Sequence, residues 1–291
     1  MKIALGTVQF GFSYGISNTS GRTEEDQVLK ILDYAWKNGI NTLDTARDYG
    51  DSERIIGKFK NEFAWNIVTK TPSFSEGEIS EEQLKLMRIS FNNSLNNLDK
   101  RSIDTLLVHS ADDLLKPGGA QLFSEMTKIK NSGFVKNIGA SVYSDNQIDY
   151  LLDHYEIDVI QLPINILDQR LIKSGHLKKI KKHGIEIHAR SVFMQGLLLM
   201  PLNALPPYFS KIYDNIKKIM LCARQHSMSN LEFALGFVQS LDEIDKVIVG
   251  VNTVDQLREI VDSSKIRIDY KKYSNLAISD AQYINPSNWN L

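Results

Sequence analysis

Four side chains of this sequence could together reduce a carbonyl group. Asp44 and Tyr49 follow one apolar run, Lys70 closes the next, and His109 closes the one after. Reducing a carbonyl requires a hydride on carbon and a proton on oxygen. A tyrosine can donate that proton, but its unperturbed pKa is about 10. A neighbouring ammonium favours the phenolate and lowers that value. Lys70 is placed to be that ammonium, and Asp44 to hold it charged and oriented. His109 can hydrogen-bond the substrate oxygen or relay the proton. Singly, each residue reads as an ordinary surface or packing group. Their joint placement at successive strand ends is what points to chemistry.

Those residues need elements that bring them together. The sequence repeats a pattern in which a short apolar strand precedes an amphipathic helix. Candidate strands are Ile3–Val8, Thr42–Ala46, Asn66–Lys70, Thr105–His109, Asn137–Val142, Val159–Leu162, Glu186–Phe193 and Lys246–Val251. Between them, Val28, Ile31, Leu32, Ala35 and Trp36 recur at helical spacing and Gly39 closes the helix. A second helix runs from Glu81 to Leu98, with Leu84, Met87, Phe91, Leu95 and Leu98 on one face. Apolar strands alternating with helices imply a parallel sheet. Eight such units without a break predict a closed (β/α)8 TIM barrel, whose chemistry sits at the C-terminal ends of the strands. The reading is one barrel domain over residues 1–291, with 265–291 as a C-terminal tail. Met194–Ile212 is expected to be a long loop, broken by Pro201, Pro206 and Pro207.

The residues quoted so far also resemble a known family. The run Thr42-Leu43-Asp44-Thr45-Ala46-Arg47-Asp48-Tyr49-Gly50-Asp51-Ser52-Glu53 is similar to the aldo-keto reductase signature DTAxxYGxSE. Ile67–Lys70 resembles that family's lysine strand and Asp104–His109 its histidine strand. Gly133–Ser141 resembles its GKIRxIGVS segment. The likeness runs from Leu5 to about Ile260. It implies a (β/α)8 barrel, a nicotinamide cofactor (NADP, with NAD as the alternative) and the catalytic tetrad Asp44, Tyr49, Lys70 and His109.

The resemblance also implies cofactor contacts. Gly6 and Thr7 would lie near the nicotinamide, with Asp44 beside them. Ser141 and Gln161 would hold the carboxamide, with Asn165 close by. Ser191, Phe193 and Gly196 would line the pyrophosphate path, and Gly250, Gln256 and Glu259 the adenosine end. A helix N-terminus near Thr253 would favour phosphate.

Several positions depart from the family pattern. Val142 stands where Asn is common. Arg190 replaces the aromatic that stacks on nicotinamide; a guanidinium can stack on a flat ring or reach an anionic substrate. Gly250 and Gln256 stand where Lys and Arg commonly grip a 2′-phosphate. The first barrel strand begins almost at Met1, so the hairpin that commonly plugs the barrel floor is expected to be missing. LGTVQFG, RSxFxQGLL and a Pro-x-x-Trp ending resemble a bacterial subgroup whose members often accompany surface-polysaccharide or nonulosonic-acid sugar synthesis. By that likeness the substrate is a sugar or sugar-derived carbonyl compound, with an acidic or nucleotide-linked sugar as the candidate.

Bulk properties exclude other classes. A formal net charge of −1 provides no field for nucleic acid or an anionic membrane. The one cysteine, Cys222, rules out an internal disulfide and fits a cytoplasmic setting, as a buried inert thiol. No apolar run approaches the roughly 20 residues of a membrane helix, and the N-terminal run stops short of a signal-peptide core. No GxGxxG occurs, and no metal site is expected from His176, His183 and His188. Lys178, Lys179, Lys181 and Lys182 read as a solvated helix face, while His154 and His226 suggest no partner. The expected activity is NAD(P)(H)-dependent reduction of an aldehyde or ketone to an alcohol. The alternatives are a sugar epimerase with tightly bound nicotinamide and a non-catalytic regulatory or scaffold subunit. The sequence carries no signal of oligomeric state.

Overall fold

A computed structural model describes residues 1–59, 63–74 and 77–290. Eight parallel strands close into a barrel in chain order: β1 (Ile3–Gly6), β2 (Thr42–Asp44), β3 (Asn66–Lys70), β4 (Ile103–Val108), β5 (Val135–Ser141), β6 (Val159–Pro163), β7 (Glu186–Arg190) and β8 (Lys246–Gly250). Closure comes from β8 pairing with β1 in the register Ile3↔Val247 to Gly6↔Gly250. The architecture is the (β/α)8 barrel expected from the alternating pattern.

The helices pack their apolar faces on the barrel. Glu81–Asn97 shows the local logic. Ser80 Oγ accepts from the Gln83 backbone N–H, while the Gln83 side chain accepts from the Ser80 N–H, forming a capping box. Leu84, Met87, Phe91 and Leu95 are then buried at i, i+3, i+7 and i+11. Ser144 with Gln147 and Ser229 with Glu232 start two more helices in the same way. Replacing any of these serines by alanine removes a cap worth about 1 kcal/mol.

Strand ends differ from the sequence reading where the next residues leave extended backbone. β7 stops at Arg190 rather than Phe193, because Ser191 takes a φ of 60°. β1 stops at Gly6, because Thr7 leaves extended backbone (φ −118°, ψ 12°) as the N-cap of a short helix, Val8–Gly11. After β7 the chain forms 3-10 turns at Leu197–Leu199, Leu202–Ala204 and Pro207–Ile212. The C-terminal residues are anchored there: Trp289 packs its ring 4.9 Å from that of Phe209, and the Tyr208 hydroxyl donates to the carbonyls of Gln282 and Asn288.

Cys222 is half-buried rather than buried. Within the lysine-rich helix, Lys179 pairs with Asp149 and Lys181 with Asp245. His226 does have a partner, the Tyr273 hydroxyl at 2.7 Å, and His154 Nδ1 lies 2.8 Å from the Tyr150 carbonyl oxygen. Among the described residues no helix is long and apolar enough to cross a membrane.

Candidate active site

The C-terminal ends of the strands open into one cavity of about 650 Å³. Asp44 ends β2, Lys70 ends β3 and His109 follows β4, so each side chain leaves the barrel at the same face. Lys70 Nζ donates to Asp44 Oδ1 and to the Thr45 carbonyl, both at 2.8 Å. The pair is almost fully buried, and a charge buried without such partners costs several kcal/mol. Asp44 Oδ2 in turn accepts from Gln161 Nε2 at 2.6 Å.

Tyr49 enters from the turn after β2. Its ring centroid lies 5.1 Å from Lys70 Nζ and 6.1 Å from the His109 ring, which it meets edge-on. The turn is held from below. A Cβ on Gly11 would come within 1.7 Å of the Tyr49 carbonyl oxygen, so only glycine permits this approach. Ser52 Oγ donates to the Thr7 carbonyl at 2.9 Å and contacts Thr7 Oγ1 at the same distance. Thr69 Oγ1 donates to buried Glu53 at 2.6 Å. The serine and glutamate that end the β2 motif are therefore struts, and they fix where Tyr49 can stand.

Fifteen of the residues singled out in the sequence border this cavity. Gly6 and Thr7 come from β1 and its turn, Ser141 from β5, and Gln161 from β6. Arg190, Ser191, Phe193 and Gly196 come from β7 and its loop. Gly250 ends β8, while Gln256 and Glu259 lie on the helix Val254–Ser263. Asn165 does not border it. Its amide is taken up by the Ser191 carbonyl and by the N–H groups of Leu167 and Asp168. Gln256 is occupied in part by accepting from the Asn252 N–H at 2.7 Å.

A model of the aldo/keto reductase family matches residues 2–281. The chain belongs to that family. Its members are oxidoreductases acting on aldehydes and ketones. YqkF of Bacillus subtilis (strain 168), described as an oxidoreductase, is 25% identical over 285 residues, which cover 91% of this chain and 92% of YqkF. D-threo-aldose 1-dehydrogenase of Pseudomonas sp is 23% identical over 319 residues, covering 94% and 95%. Among solved structures, aldo-keto reductase AKR11C1 from Bacillus halodurans (holo form) shares the fold with a TM-score of 0.78 at 20% identity, over 99% of this chain and 95% of that one.

The electrostatics of this aldo/keto reductase correct one expectation. Burial raises the Tyr49 phenol above its ordinary value. The Lys70 ammonium pulls it down and Asp44 pushes it up, and burial prevails. The net direction favours the neutral phenol of Tyr49 over the phenolate. Burial alone would lower the Lys70 pKa, but Asp44 and Tyr49 outweigh it and the net direction is up. His109 Nδ1 lies 3.4 Å from Asp48 Oδ2 without hydrogen-bond alignment. That pairing, against burial, holds the Asp48 carboxyl below the usual carboxylate range.

The segment after β1 was missing from the sequence reading. Gln9, Tyr14 and Ser17–Ser20 also border the cavity. Ile16 donates its N–H to the Gln195 carbonyl at 3.0 Å, and Asn252 Nδ2 donates to the Gly21 carbonyl at 3.2 Å. The segment thus bridges the loops after β7 and β8. Gly196, at φ 92°, allows this: its Cβ would sit 1.8 Å from Ser17 Oγ. Its smallness was the one local signal. Among the described residues no group of three or more His, Cys, Asp or Glu could hold a metal ion.

Proposed function

We propose that this aldo/keto reductase reduces an aldehyde or ketone to an alcohol, with Tyr49 as the proton donor. The observation that carries the reading is the buried Lys70–Asp44 pair at 2.8 Å beside the half-buried Tyr49 ring, all on one cavity. Asp44 fixes the ammonium, and the ammonium supports negative charge on the Tyr49 oxygen as its proton leaves. His109, edge-on to Tyr49, would orient the carbonyl oxygen. Such general-acid action contributes typically about 10²- to 10⁴-fold.

The residues present fit a nicotinamide dinucleotide. The cavity falls within the roughly 300–1,000 Å³ of cofactor and ligand sites. Gln9 Oε1 is a buried acceptor in its wall with no partner among the described residues, and Ser17, Ser141 and Ser191 line it. A reduced nicotinamide, when bound, supplies the hydride. Gly6, Thr7, Ser141 and Gln161 would hold the nicotinamide end, Ser191, Phe193 and Gly196 the phosphates, and Gly250, Gln256 and Glu259 the adenosine end. No ammonium or guanidinium comes to the wall from β8 or the helix after it, while Glu259 adds a carboxylate. NADP is therefore bound with little advantage over NAD.

The relative named D-threo-aldose 1-dehydrogenase supports a sugar-derived carbonyl as the substrate class. The test is oxidation of NADPH and NADH, followed at 340 nm, with a panel of aldoses, ketoses and simple aldehydes. Acceleration by any carbonyl supports the reading. Saturable cofactor binding with no oxidation by the whole panel would favour a non-catalytic role.

A further inference from the structure

Arg190 ends β7 with its side chain half-buried in the cavity wall. Its Cζ stands 4.1 Å from the centroid of the Tyr143 ring. Nη2 donates to the Val142 carbonyl at 3.1 Å and Nη1 to Ser191 Oγ at 3.3 Å. Both acceptors are neutral, and a guanidinium has five donors. Among the described residues no carboxylate pairs with it.

Other cations of the fold sharpen the contrast. Lys70, the other strong cation of the cavity, is matched by Asp44. Arg54, Arg88, Arg170 and Arg258 each pair with an acidic side chain. Arg190 is the cation of this wall left without a counter-ion among the described residues, and it is partly withdrawn from water. Desolvation raises the phenols of half-buried Tyr49 and of exposed Tyr14, and the Arg190 charge pulls against it in each case. The guanidinium therefore lies within electrostatic reach of the proton donor.

We propose that Arg190 binds an anionic group of the substrate, so that the preferred carbonyl compound carries a carboxylate or a phosphate. The proposal rests on the reductase reading for the rest of the site. Charge-assisted bonds from a guanidinium to such groups are short and about twice as strong as neutral ones. The Tyr143 face, Val142 and Ser191 already hold the fork in place, so less side-chain freedom is lost on binding. The same arrangement disfavours a neutral isostere, because the free donors would then be desolvated without a partner.

The experiment compares matched pairs in wild type and Arg190→Gln: succinic semialdehyde against butanal, and D-glyceraldehyde 3-phosphate against D-glyceraldehyde. Wild type should favour at least one anionic member at least tenfold in kcat/KM, and the pair that shows it names carboxylate or phosphate. Arg190→Gln should lower that ratio at least tenfold, and Arg190→Lys should restore part of it. Calorimetric titration with benzoate and benzamide provides a readout without turnover. Benzoate should bind more tightly than benzamide to wild type, and this difference should vanish in Arg190→Gln. That result would stand even if no carbonyl were reduced, in which case the reductase reading alone would fall. No anionic preference in turnover or binding would overturn the proposal. So would an Arg190→Gln effect confined to the Kd of NADPH and NADH, which would assign the guanidinium to the dinucleotide.

Discussion

Gln161 donates Nε2 to Asp44 Oδ2 at 2.6 Å, on the carboxylate oxygen that Lys70 does not use. Asp44 is thereby gripped from two strands, β6 and β3, and has little freedom to turn. Gln161→Leu should cost about 1–3 kcal/mol, the usual penalty for a buried acceptor stripped of its donor. Gln161→Glu should cost more, since it sets a second carboxylate against the first. Urea denaturation measures both. Equal midpoints for wild type and Gln161→Leu would mean that the bond holds nothing in place.

Tyr49→Phe should leave the barrel folded and the cofactor bound while lowering kcat about 10²- to 10⁴-fold. Only the hydroxyl is lost; the edge contact with His109 belongs to the ring. Single-turnover oxidation of bound NADPH measures the chemical step, and fluorescence titration checks the cofactor. A variant with wild-type turnover would shift the donor role to another group, His109 first.

Lys70 sets the pH response. Reduction needs the protonated phenol, so its rate falls as pH rises through the Tyr49 pKa. Burial holds that value up and Lys70 pulls it down. Lys70→Met should therefore move the alkaline limb to higher pH, besides lowering kcat. Removing Lys70 also leaves Asp44 buried without its cation, at a cost of about 3–5 kcal/mol. The double variant Lys70→Met/Asp44→Asn should recover part of that loss and keeps the test readable. Because the Lys70 pKa is raised in the folded protein, the pair's contribution is complete below the unfolded lysine value of about 10.4 and lost as pH rises through the folded one. Thermal unfolding above that pH should converge for wild type and the double variant.

Cofactor choice is read at Gln256. Kd values for NADPH and NADH should lie within about tenfold of each other, or roughly 1.4 kcal/mol. Gln256→Arg should shift the balance toward NADPH, since a guanidinium forks onto phosphate. Fluorescence titration of both dinucleotides decides it. A wild-type preference for NADPH far beyond tenfold would locate the 2′-phosphate away from this helix.

Much of this was legible in the sequence, and the misses share a cause. Asn66–Lys70 reads as a strand because Ile67, Val68 and Thr69 are all β-branched and a charged residue closes it. Asp44, Lys70 and His109 were found together because consecutive strands of a parallel barrel deliver their last residues to one face. The end of β7 was misread because Val192 and Phe193 continue the apolar character while Ser191 turns the backbone. Ile16 meets Gln195 and Gln161 meets Asp44 across more than a hundred residues, and no local periodicity encodes such contacts. The direction of the Tyr49 shift depends on how deeply the ring is buried, which composition does not reveal.

Barrel closure has a consequence during synthesis. β1 is made first, yet one of its two neighbours is β8, with Ile3 paired to Val247. Translation at about 5–20 residues per second separates those residues by roughly 12 to 50 seconds. Throughout that interval β1 has an unpaired edge, with Ile3, Ala4 and Leu5 lacking the burial they finally reach. The nascent chain is thus most prone to mispairing at its first strand, and what relieves it is the arrival of the last.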